Sequence, residues 1–258
     1  MDDLERIRRY LAWREEATST RIEPSRFGTA LFNDDFPRYW DGNFLRVEPG
    51  VDAELEALLE EVDRLYSGFD HREIVVLDDD RGARLAPGFR DSGWEVDALL
   101  LMAARRGTER GSTLPVEQWS FESVSPLLVE GNLEAADRMT REDAEMDAEI
   151  RRIFEERTRT RFFVALADRS PAGYCELYVH EGVAEIDDVH TFERYRGRGV
   201  ATAVVSHAVR QGRAAGADLV FLIADDDDWP KELYAKLGFD PLSRYWQFRR
   251  PPPDYRRG

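Results

Sequence analysis

The residues with the most evident chemistry in this sequence lie between Val189 and Thr202, where Val-His-Thr-Phe-Glu-Arg-Tyr-Arg-Gly-Arg-Gly leads into Val200-Ala201-Thr202. An apolar, β-prone stretch from Val183 to Phe192 runs into a turn carrying Gly197 and Gly199. A helix-periodic segment, Val200 to Arg213, follows at once. Glycine permits backbone conformations in which several N–H groups converge on one concavity, and a helix N-terminus adds partial positive charge there. Arg194, Arg196 and Arg198 bring full charges to the same place. The chemistry this predicts is capture of an anion, with a phosphate group as the natural guest. Gly197-x-Gly199 also fits the start of a dinucleotide-binding turn. Thr202, however, stands at the third glycine position, and the turn comes late in the chain rather than in an early βαβ unit.

Two stretches carry a family resemblance. Arg196-Gly197-Arg198-Gly199-Val200-Ala201 resembles Arg-x-x-Gly-x-Ala, the pyrophosphate loop of the GNAT acetyltransferase superfamily. Downstream, Leu233-Tyr234-Ala235-Lys236-Leu237-Gly238-Phe239 resembles that superfamily's second signature, Leu-Tyr-x-Lys-Leu-Gly-Phe. The resemblance covers residues 116 to 250. It implies transfer of an acetyl group from acetyl-CoA, as co-substrate, to a primary amine of a small molecule or peptide, with no metal. The alternative it leaves is a non-catalytic acyl-CoA-binding sensor or scaffold.

By the same resemblance, the backbone N–H groups of Arg198, Gly199, Val200 and Ala201 hold the coenzyme A pyrophosphate, with Arg196 and Gly197 in the loop and Thr202 adding its hydroxyl. Val189 and Thr191 offer their backbone to the pantetheine arm, and an N–H near Val189 meets the oxyanion. Tyr234 matches the family tyrosine that protonates the coenzyme A sulfur. The general base is a carboxylate acting directly or through water. Glu185 and Asp187 are the candidates taken forward, while Asp188, on the other face by strand alternation, and Glu176 on the neighbouring strand stay open. Asp227 stands where the family often has an asparagine contacting the cofactor arm, and a carboxylate cannot donate as an amide does.

Composition narrows the partners. The net charge of −16 over 258 residues excludes the basic footprint that nucleic acid requires, and it disfavours anionic membranes. Lys231 and Lys236 are the only lysines, so the arginines near Gly197 stand out locally. The single cysteine, Cys175, excludes an internal disulfide framework and sits in an apolar strand pattern, as a core residue would. No signal peptide or membrane span is expected, and the chain reads as cytoplasmic. Association as a homodimer stays open.

The elements that must position these residues follow from periodicity. A strand at Val116–Phe121 and one or two helices between Ser125 and Arg157 precede three strands, at 161–167, 172–179 and 183–191. The loop helix comes next, then a strand at 219–223, a helix at 230–237 with Asp228 as its N-cap, and a strand at 240–248. This order predicts an α+β fold with a mixed, mostly antiparallel sheet flanked by helices, as in GNAT proteins. The first half has strand signals at 44–47, 74–77 and 96–102, with an amphipathic helix through Leu55, Leu58, Leu59, Val62 and Leu65. Its end, Leu85 to Val96, resembles the helix–glycine–aromatic–strand run around Gly238. We therefore expect tandem domains: a degenerate GNAT-like copy at 1–106 without a cofactor loop, a linker at 107–115, and the catalytic copy at 116–258.

Overall fold

The computed structural model describes residues 1–104, 113–135 and 139–252. Apart from 113–115, the expected linker lies outside them. In chain order the elements are α1 (Asp3–Thr18), β1 (Arg21–Ser25), β2 (Gly28–Phe32), β3 (Phe44–Val47), α2 (Leu55–Leu65), β4 (Arg72–Val76), α3 (Asp79–Asp91) and β5 (Glu95–Ala104). They continue as β6 (Val116–Trp119), α4 (Phe121–Ala135), α5 (Arg141–Thr158), β7 (Arg161–Ala167), β8 (Ser170–His180), β9 (Val183–Thr191), α6 (Val200–Ala214), β10 (Leu219–Asp225), α7 (Pro230–Lys236) and β11 (Phe239–Arg250). The class is α+β.

The chain divides into two compact units, neither of which is one continuous stretch. The C-terminal unit comprises Met1–Tyr10, Leu101–Ala224 and Asp228–Leu242, and the N-terminal unit comprises Leu11–Leu100, Asp225–Asp227 and the chain from Ser243.

In the C-terminal unit β6, β7, β8 and β9 form an antiparallel meander, and β10 lies parallel to β9. Both faces of β7 to β9 are covered, which is why these strands read as nearly continuous apolar runs. On one face α6 packs closely: a Cβ on its Gly212 would stand 3.0 Å from the Ala184 methyl. On the other, Phe121, Val124 and Leu128 of α4 and Ala148 of α5 close on Phe162, Val164, Tyr174 and Phe192. The expected strand Val116–Phe121 stops at Trp119 because the chain already turns at Ser120, whose carbonyl accepts from Ser123 and Val124. Thr140 caps α5 by accepting from the Asp143 N–H at 3.1 Å.

From β7 onward the N-terminal unit repeats this order. Its β1, β2 and β3 form an antiparallel meander, α2 crosses over, and β4 lies parallel to β3. Leu58, Val62, Leu85, Ala86 and Phe89 of α2 and α3 bury against Ile74, Val76 and Phe248. From Ser243 onward β11 belongs to this unit and pairs antiparallel with β4, Trp246 facing Val76 and Arg250 facing Arg72. The sequence reading did not anticipate α1 or the β1–β2 hairpin. β1 is Arg-Ile-Glu-Pro-Ser, without apolar alternation and with a proline that only an edge strand tolerates.

Candidate active site

The site grows from the pairing of β9. Tyr174 of β8 faces His190, yet Glu176 faces Asp187, so one residue of β8 is set against two of β9. The extra residue makes a β-bulge, and Asp188 adopts φ 47° within it. Aspartate tolerates this left-handed region better than most side chains do. Along its other edge, β9 pairs with β10 only from Val183↔Leu219 to Ile186↔Leu222, although β9 runs on to Thr191 and β10 to Asp225. A bulge that bends β9 just past the last pair accounts for the end of the ladder.

Beyond β9 the chain forms the arginine–glycine loop. Gly197 and Gly199 have φ of 76° and 77°, with open space where a Cβ would stand. Gly199 is the N-cap of α6, with no side-chain capping bond and no acidic residue in the first turn. The first intrahelical bond runs from Ala203 N–H to Gly199 O at 3.0 Å, so Val200, Ala201 and Thr202 present N–H groups without an intrahelical acceptor. The Arg196 and Arg198 side chains are 59% and 55% exposed, with surface partners Glu193 at 3.3 Å and Asp168 at 3.6 Å. Arg194 has another role. It donates to Glu130 at 2.6 Å and lies over the Phe192 ring, tying the loop to α4. The Thr191 hydroxyl oxygen is buried without a hydrogen-bond partner among the described residues.

Tyr234 sits on α7, buried and edge-on to Phe239 at 6.2 Å. Burial raises its pKa, and the proximity of Cys175, Asp187 and Asp228 raises it further, so the phenol holds its proton at neutral pH. The structure thus brings Tyr234 and Asp187 into one electrostatic neighbourhood. Cys175 is buried, donates to Val204 O at 3.7 Å and keeps its thiol proton.

The carboxylates differ in access. Glu185 is 0% exposed, whereas Asp187 is half-buried and accepts from the Asp188 N–H at 2.9 Å. Glu176 is buried beside Arg151, whose Nε lies 3.1 Å from its Oε1, and it accepts from the Tyr178 hydroxyl. Burial raises the pKa of Glu176 against the pull of Arg151. Asp188 is raised chiefly by burial and next by the Glu176 charge. The charges of Arg151, Asp187 and Asp147 also act on it.

Asp227 is exposed in the turn after β10, its N–H donating to Asp225 Oδ1 at 2.8 Å. Asp228 was expected as the N-cap of α7. Trp229 holds that position, and Asp228 Oδ1 accepts from its N–H instead. Sequence reasoning also passed over Arg151 and Asp147 of α5, which lie beside Glu176, and the buried Tyr174 of β8. The adjacent acids Asp187-Asp188 in the middle of an apolar strand were the available signal for the bulge.

Residues 129–239 match the model of the "Acetyltransferase (GNAT) family". Among solved structures, the chain is similar to a GCN5-related N-acetyltransferase from Kribbella flavida, with a TM-score of 0.66 and 18% identity over 97% of this chain and 96% of that one. It is similar to a functionally unknown conserved protein from Staphylococcus epidermidis ATCC 12228, with a TM-score of 0.68 and 15% identity over 91% and 94%. A tandem GNAT protein from the clavulanic acid biosynthesis pathway matches with a TM-score of 0.56 and 16% identity over 82% and 76%. At these identities the likeness is one of fold. No curated protein matches the chain.

Proposed function

The C-terminal half of this chain belongs to the acetyltransferase (GNAT) family, and on that premise we propose that it transfers an acetyl group from acetyl-CoA to a primary amine of a small molecule or peptide. The observation that carries the proposal is the end of the β9–β10 ladder at Ile186↔Leu222, followed by a loop that sets two exposed arginines beside the N-terminus of α6. The residues fit coenzyme A. Gly197 and Gly199 leave space at the loop, the α6 N-terminus carries no carboxylate that would repel a diphosphate, and the orphaned Thr191 hydroxyl lies at the expected pantetheine position. Gly199, Val200, Ala201 and Thr202 are the proposed diphosphate donors, with Arg196 and Arg198 adding charge; the Arg198 N–H, expected among the donors, already donates to Tyr195 O at 3.4 Å. When bound, acetyl-CoA supplies an acyl group activated as a thioester.

The chain's own residues have two proton tasks. An alkylamine with a pKa of about 10.4 is ~3 units too protonated at neutral pH, a penalty of roughly 4 kcal/mol. Asp187, half-buried and with its charge acting on Tyr234, is the proposed proton acceptor, with the fully buried Glu185 one strand period behind it. Tyr234 holds its proton at neutral pH and is the proposed donor to the leaving sulfur. We also propose that the N-terminal unit is a GNAT-like copy without a cofactor loop, so that each chain has one active site.

The test is incubation with acetyl-CoA and a panel of primary amines, reading free thiol and the mass of the product. Thiol release that depends on amine, with a product heavier by one acetyl group, is expected. Calorimetric binding of coenzyme A without turnover on any amine would leave the sensor reading instead, and failure to bind coenzyme A would overturn both.

A further inference from the structure

Asp and Glu outnumber Lys and Arg in this chain by 52 to 36, so a half-buried arginine ordinarily finds a carboxylate. In the C-terminal unit Arg6 donates to Asp218 at 3.1 Å, Arg151 Nε lies 3.1 Å from Glu176 Oε1, and Arg152 donates to Glu149 at 2.7 Å. Arg161, at the start of β7, departs from this pattern. It is half-buried, its Nη2 donates to the Gln211 carbonyl of α6 at 3.4 Å, and its guanidinium stands 5.7 Å from the centroid of the Phe163 ring. Burial holds its pKa below the usual value, and no carboxylate raises it.

Two further basic side chains stand beside it on α6. His207 packs on the same Phe163 ring, with centroids 4.8 Å apart. Arg210 and Gln211 follow His207 at the three- and four-residue spacings that share a helix face. Arg210 is exposed and His207 is half-buried, so the group opens on solvent. Burial lowers the pKa of His207, the charges of Arg210 and Arg161 lower it further, and no carboxylate opposes them. Taking a cation partly out of water without a counter-charge is unfavourable, and the single Gln211 carbonyl brings Arg161 no full charge. An anion from outside the chain would supply what the fold does not.

We infer that Arg161, His207 and Arg210 form a second anion site, which takes the dianionic phosphate group of a small molecule, either a monoester or the free ion. Two guanidinium forks and an imidazole N–H supply donors for a tetrahedral oxyanion, and two arginine charges balance a dianion. The net charge of −16 repels extended polyanions such as nucleic acid, whereas a small anion meets chiefly the local field of the three basic groups. His207 and Arg210 lie about 10 and 15 Å along α6 from Val200, where the helix begins. The site is therefore separate from the arginine–glycine loop, and it stands whether or not the chain transfers acetyl groups.

The experiment follows the histidine Hε1 protons of the full chain by NMR through a pH titration, in inorganic phosphate and in sodium chloride of equal ionic strength. His207→Gln assigns the His207 signal. Phosphate is expected to raise the His207 pKa by about one unit relative to chloride, because a bound anion offsets the push of both arginines. Arg161→Gln and Arg210→Gln should each raise the phosphate concentration at half-maximal His207 shift by about fivefold. Arg210→Gln changes an exposed side chain and gives this readout even where Arg161→Gln folds poorly. Methyl phosphate in place of inorganic phosphate tells a monoester from the free ion by which half-saturates the shift at lower concentration. Phosphate held at the arginine–glycine loop would move His190, on which the Arg196 charge acts, and leave His207 unmoved. That result, an equal shift in chloride, or a half-saturation that neither variant raises would overturn the inference.

Discussion

From the three-strand meander onward the two units follow the same element order but use matching places differently. In the C-terminal unit Tyr234 and Phe239 meet edge-on, at 6.2 Å and 61°, across the turn from α7 into β11. In the N-terminal unit Phe89 and Trp94 meet at the same sequence spacing, at 5.1 Å and 63°, across the turn from α3 into β5. Gly238 and Gly93, both at positive φ, make these two turns. The aromatic pair is thus part of how such a turn packs, and the hydroxyl is what Tyr234 adds. Phe89 instead stacks on Phe248 at 4.1 Å inside the apolar core. The strands before the crossover helices differ too. β3 stops at Val47 with its ladder to β4 complete, whereas β9 runs five residues past its last pair with β10. Where a ladder closes there is no gap for a ligand, so the comparison separates what the fold needs from what a site needs.

The arginines should break this comparison most visibly. Arg46 in β3 is 2% exposed and donates to Glu15 at 2.7 Å, Glu16 at 2.8 Å and Glu48 at 3.0 Å. Arg46→Ala leaves buried carboxylate behind and is expected to cost about 3–5 kcal/mol in urea unfolding. Arg196→Ala, at the exposed loop, should change stability by less than about 1 kcal/mol while weakening coenzyme A binding. Equal stability losses would mean that the loop arginine is structural after all.

Tyr234→Phe comes next, since it gives α7 the residue type found at Phe89. The ring still packs on Phe239, so folding should hold. Loss of the proton donor should lower kcat about a hundredfold with little change in KM for acetyl-CoA. Full turnover in steady-state thiol release would remove Tyr234 from the chemistry.

Much of this contrast could be read from the chain, and the reasons it could are local. The loop, α6 and Tyr234 announce themselves because glycines, arginines and an apolar helix period are short-range signals. The buried carboxylates were legible only as acids on a strand. The bulge at Asp188 depends on a register shift against β8, and the meeting of Arg151 with Glu176 depends on how α5 packs on β8. The assignment of the chain from Ser243 to the N-terminal unit likewise reflects long-range strand pairing with β4, which no local pattern encodes.

A matched pair of glycines gives a smaller effect. Gly199 at φ 77° opens α6, and Gly50 at φ 83° lies in the corresponding connection before α2, both with open space around the missing Cβ. Alanine at either should cost roughly 1–2 kcal/mol of stability through the left-handed backbone. Only Gly199→Ala should also raise the coenzyme A dissociation constant, by about tenfold, as read by calorimetry. Loss of binding in Gly50→Ala would bring the N-terminal unit into cofactor binding.

The smallest effects are titrations, and they should confine themselves to stability in the N-terminal unit. His71 is buried and its pKa is lowered to about 4, chiefly by burial. Its contribution is full above the unfolded value of 6.5 and is lost as the pH falls toward 4. Glu73 is also buried, and burial pushes it up to about 7 against the pull of Arg249. Its contribution is full below the unfolded value of 4.5 and is lost as the pH rises through 7. The melting temperature of the unmodified protein minus that of His71→Gln should therefore rise between pH 4.5 and 6.5, by a few degrees. The same difference for Glu73→Gln should fall over that window, since the Arg249 side chain keeps Asp41 and Asp97 as partners. The pH profile of thiol release, measured where each variant is folded, should be unmoved by either change. A profile that shifts with Glu73→Gln would show that the buried charges of the N-terminal unit reach the chemistry, and the division of labour between the units would have to be redrawn.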